Sequence, residues 1–139
     1  MTYISTYEIE QALDTHLKSI TSLPKFYAEN TFAEQKGKDA FCMATLLPAK
    51  TTMLSTGSVG WKEQTGLYQV SLFYPRQYGY KAARQMADTI INIFQTGFLP
   101  VDLVSGNKLI IQTAWSQPIL DDQNAFIMLP VIVDWIIRA

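Results

Sequence analysis

The sequence predicts an α+β fold: a mixed, largely antiparallel sheet with two main helices packed on one face. Apolar residues recur at helical spacing in two segments only, while segments with strand character are grouped between and after them. Strands grouped around helices, without strict alternation, favour antiparallel or mixed pairing. The 139 residues contain no repeat, linker or low-complexity segment, so we expect a single domain over residues 1–139.

Both helices are predicted from apolar residues three and four positions apart. The first stripe runs from Ile9 to Ile20, with Thr6 as a suitable N-cap and Ser22-Leu23-Pro24 as the stop. A broader stripe from Ala82 to Phe94 predicts a helix over Gly79–Gly97, whose last residue suits a C-terminal glycine cap.

Five segments are predicted as strands: Lys25–Glu29, Asp39–Leu47, Trp61–Tyr74, Leu109–Trp115 and Phe126–Ile137. Pro48 is expected to end the second strand, and Pro130 indicates a bulge or an edge position in the last. Gly66 indicates a bulge or a close backbone approach. The segment Ala49–Gly60 is either an exposed loop or the twisted outer end of a long hairpin.

Composition limits the classes of function. The apolar fraction of 48% suffices for a core, and a net charge of −1 argues against non-specific nucleic-acid binding. Met1 to Glu10 lacks a secretory pattern, and the longest apolar run, Phe126–Val133, is too short to span a bilayer. We therefore expect a soluble protein made in the cytoplasm, with no membrane partner.

The residues that could carry chemistry are scattered. His16 is the sole histidine, Cys42 lies in an apolar stretch, and Asp121-Asp122 fits a polar turn. The glycine-spaced loop Thr56–Gly60 lacks both the dinucleotide fingerprint and a phosphate-binding lysine. We expect no enzyme, no metal and no cofactor; a small-ligand-binding domain or enzyme subunit is the alternative from another class.

An ordered series of short motifs spans roughly Ile9 to Trp135. Its members are Glu29-Asn30 with Phe32, Ala44-Thr45-Leu46-Leu47-Pro48, Gly66-Leu67-Tyr68-Gln69-Val70, Tyr74-Pro75 with Gly79, Ala82-Ala83, Ala87-Asp88 with Ile90, Phe94-Gln95-Thr96-Gly97 and Leu129-Pro130-Val131. The most telling member is the strand Gly66–Val70 between Leu-Leu-Pro and the alanine-rich helix. This series resembles the tail terminator-like proteins of long-tailed bacteriophages, also called tail completion or minor tail proteins.

The resemblance implies a structural protein of the virion tail, made in the bacterial host cytoplasm. It implies a homohexameric ring that caps the finished tail tube, ends its polymerisation and offers a surface to the head–tail connector or completion protein. DNA would pass through the lumen without specific binding, which a near-neutral chain permits. Another tail-tube or head–tail connector protein is the alternative.

The expected interface lies in the hairpin region Ala49–Gly66 and then in the connection Asn30–Lys38. Loop position and composition select these residues: Lys50, Met53, Leu54, Trp61, Lys62, Glu63, Glu34, Lys36 and Lys38. A solvated, flexible loop is the competing interpretation of the hairpin tip. The sequence leaves open the free oligomeric state, the tail type, and which surface meets the tube or the head.

Overall fold

A computed structural model of the chain describes residues 6–28, 40–53, 62–76, 79–95, 101–102, 108–120 and 126–138. Its elements, in chain order, are α1 (Thr6–Leu17), β1 (Lys25–Ala28), β2 (Phe41–Met53), β3 (Lys62–Pro75), α2 (Gly79–Gln95), β4 (Val101–Asp102), β5 (Lys108–Ser116) and β6 (Phe126–Arg138). The short strand β4 was not predicted from the sequence.

The strands form one sheet in the order β1-β2-β3-β6-β5-β4. β1 runs parallel to β2, and every other neighbouring pair is antiparallel. Both helices pack on one face of this sheet, since a single buried cluster joins them to the strand positions that point to that face. The predicted α+β fold, with a mixed and largely antiparallel sheet, is confirmed.

The helices bury the predicted stripes. In α1 the buried residues Ile9, Leu13 and Leu17 recur every four positions, which places them on one side of the helix. In α2 the stripe from Ala83 to Phe94 is buried in the same cluster. The α-helix ends at Leu17, earlier than predicted, and Ile20 then bonds back to the Leu17 carbonyl at 3.2 Å in a turn.

The prediction that Pro48 ends a strand is wrong. β2 continues through Pro48 to Met53, and its register against β3 shifts between Pro48 and Lys50. This irregularity places the proline, which has no N–H to donate, where the ladder is already interrupted. Residues 49–53 are therefore the outer part of a long hairpin, whereas 54–60 lie outside the described residues.

Gly66 marks a close approach, one of the two interpretations predicted for it. It pairs with Trp135 of β6 on the core face. A Cβ added at Gly66 would lie 2.5 Å from Cζ2 of Trp135 and 2.7 Å from the carbonyl oxygen of Leu47. Only glycine leaves room for the indole, which thus covers β3 at this point.

The edge position predicted from Pro130 is wrong, because β6 lies between β3 and β5. Pairing with β5 ends at Val131, and beyond it the Gln117 N–H donates to the Pro130 carbonyl at 2.9 Å. The backbone N and O of a strand residue point to the same side of the strand. The nitrogen of Pro130, which carries no hydrogen, therefore points towards Gln117 and not towards β3. An interior strand can therefore hold this proline, and the bulge lies in β5 instead, between Ile111 and Thr113.

Candidate protein interface

A buried hydrogen bond fastens α1 to the centre of the sheet. The hydroxyl of Tyr68, a fully buried residue of β3, donates to Oδ1 of Asp14 in α1. Burial raises the pKa of Asp14 although this bond and Lys18 oppose the shift. Burial and the neighbouring Asp14 charge raise the pKa of Tyr68, which keeps the phenol protonated as a donor.

Cys42 lies beside this bond and is held as a protonated thiol. It is fully buried, and its Sγ donates to the Pro24 carbonyl at 3.7 Å. Burial, together with the nearby Asp14 charge, raises the pKa of Cys42 to about 12. A nucleophilic cysteine needs the opposite shift, so this thiol serves packing.

His16 joins the last turns of the two helices. Its Nε2 lies 2.8 Å from the Ile93 carbonyl, and we assign the donated proton to that nitrogen. The imidazole also meets the ring of Phe94 edge-on, with centroids 5.0 Å apart. The last carbonyls of a helix lack partners within the helix, and His16 supplies one.

The interior polar groups thus act in packing. Within the described ranges, no group of three or more His, Cys, Asp or Glu residues is placed to hold a metal ion. No described helix is both long and apolar enough to cross a bilayer. The surfaces of the sheet are the remaining candidates for a functional site.

The structure places four of the predicted interface residues in the β2–β3 hairpin. Met53 pairs with Lys62, Lys50 pairs with Thr65, and Glu63 pairs with Thr52. Glu63 also pairs with Arg138, so β6 extends alongside the hairpin as far as Glu63. The other predicted residues, Leu54, Trp61, Glu34, Lys36 and Lys38, lie outside the described residues, and their role stays a prediction.

The sheet face opposite the helices carries an aromatic cluster near one end of the strands. The rings of Phe41 and Phe73 stack 4.6 Å apart, with 7° between their planes. Phe126 meets Phe41 edge-on at 5.4 Å. These contacts join β2, β3 and β6 on the face that neither described helix covers.

The same face exposes three large apolar residues along β5 and the segment that follows it. Ile110 is 38% exposed, Trp115 40% and Leu120 55%. Their cross-strand partners on β6 are Ile136, Ile132 and Met128 respectively, and both isoleucines are buried. We call Ile110, Trp115 and Leu120 the β5 strip.

Sequence reasoning missed the β5 strip because of the bulge. Ile111 and Ala114 both face the core, so the two-residue period is broken between them. The extra residue, Gln112, places Trp115 on the outer face together with Ile110. The imperfect alternation in this strand was the available signal.

The acid Asp134 lies within this outer face. It is half-buried between Ile132 and Ile136 along β6, and its cross-strand partners are Leu67 and Thr113. Desolvation by burial raises the pKa of its carboxyl group. The face is thus largely apolar around this carboxyl group.

Comparison with known families decides the assignment. A sequence model described as phage tail terminator protein matches residues 8–135. The chain belongs to this family. Its membership makes it a component of the virion tail and favours a structural role over an enzymatic one.

Solved structures support the fold of this tail terminator. One of them, whose name states no function, has a TM-score of 0.70 at 18% sequence identity, over 97% of this chain and 96% of the other. At that identity the likeness shows the fold alone. No curated protein matches the chain.

Proposed function

We propose that this tail terminator forms a six-fold ring on the end of the finished tail tube. The ring stops further polymerisation of the tube protein and offers the surface to which the head–tail connector or completion protein attaches. The observation that carries the proposal is the family match over residues 8–135.

The surface of the chain supports an assembly role. A ring subunit must meet its neighbour through two different surfaces. The sheet face opposite the helices exposes the β5 strip, whereas Tyr68, Asp14 and His16 form hydrogen bonds within the chain.

The remaining parts of the proposal concern DNA and location. The net charge of −1 suits a lumen through which DNA slides, because a strongly basic wall would retain phosphates. The ring would be part of the virion tail after synthesis in the host cytoplasm. The predicted hairpin residues, among them Lys50 and Glu63, are proposed to contact the tube or the connector.

A tube-growth experiment tests the proposal. The tail-tube protein is polymerised with and without this chain, and tube lengths are measured by negative-stain electron microscopy. We expect growth to stop at amounts far below one chain per tube subunit, with six-fold density at the tube end. A Leu13→Asp variant, which places a charge in the core, is the unfolded control.

Other outcomes identify the alternatives. Incorporation of the chain along the whole tube would make it a tube protein, and binding only to the head vertex would make it a connector. Unchanged growth with bare tube ends would refute termination directly.

A further inference from the structure

We draw no further inference here: the strongest candidate, the sheet face opposite the helices with the stacked rings of Phe41 and Phe73 at one end and the exposed Trp115 on β5, is an unpartnered face, and nothing in the described part of the chain shows what covers it.

Discussion

Replacing Gly66 with alanine should destabilise the fold although it adds only one methyl group. The new Cβ would lie 2.5 Å from Cζ2 and 2.9 Å from Cε2 of Trp135, and 2.7 Å from the Leu47 carbonyl oxygen. Neither neighbour can withdraw easily. The indole is 1% exposed within the core, and the carbonyl belongs to the backbone of a paired strand.

The size of the effect follows from two opposing contributions. Overpacking a well-filled core costs about 1–3 kcal/mol, and rigid neighbours on two sides place this site near the upper value. Replacing glycine also restricts the backbone of the unfolded chain, which raises the free energy of unfolding by about 0.4–1 kcal/mol and partly offsets this cost. We expect a net loss of about 2 kcal/mol in the free energy of unfolding, or a fall of roughly 8 °C in melting temperature.

Urea denaturation of Gly66→Ala, Trp135→Phe and the double variant would measure both the loss and its cause. The smaller phenyl ring should make room for the methyl group, so the double variant should lose about 1 kcal/mol less than the sum of the single losses. Strict additivity, or a Gly66→Ala protein as stable as wild type, would refute the steric explanation.

Three further predictions concern the titratable groups. Tyr68→Phe removes the hydrogen bond that the Asp14 carboxylate accepts from β3 and should cost about 1–2 kcal/mol in urea denaturation; wild-type stability would contradict this. Burial raises the pKa of Asp134 in the folded state, so the folded chain binds more protons than the unfolded chain just above pH 3.8. Its contribution to stability is therefore present at low pH and lost as pH rises through the raised pKa, and Asp134→Asn should flatten that decline in stability–pH curves. Cys42 has its pKa raised from 9.0 to about 12, so thiol labelling at pH 8 should be about a thousandfold slower in folded than in unfolded protein. Similar rates in both states would place this thiol at the surface.

The sequence predicted those elements whose period is regular. The four-residue recurrence of Ile9, Leu13 and Leu17 identified α1, and the stripe ending at Phe94 identified α2, because helical burial repeats within one turn. Antiparallel pairing followed from how the strands are grouped. These predictions depend on residue period and on the order of the elements, and the structure confirms them.

The wrong predictions share a physical cause, which is that a proline's effect depends on where its missing N–H would point. Pro48 lies at a register shift in β2, and Pro130 turns its nitrogen away from β3, so neither breaks a strand. The two-residue period of the side chains cannot reveal where the nitrogen of a proline points. That direction matters only if a neighbouring strand extends past the proline on the same side. The candidate interface was predicted from loop composition, and the β5 strip escaped notice because its alternation is interrupted at Gln112.

The bulge at Gln112 explains how one strand serves both the core and an outer surface. Without the extra residue, the two-residue period that buries Leu109 and Ile111 would also turn Trp115 towards the helices. With it, Ala114 faces the core and the tryptophan is 40% exposed on the outer face. A tryptophan held outward by a backbone irregularity stabilises the isolated subunit less than a buried one would. The bulge thus lets β5 contribute Leu109, Ile111 and Ala114 to the core while it keeps Trp115 on the outer face.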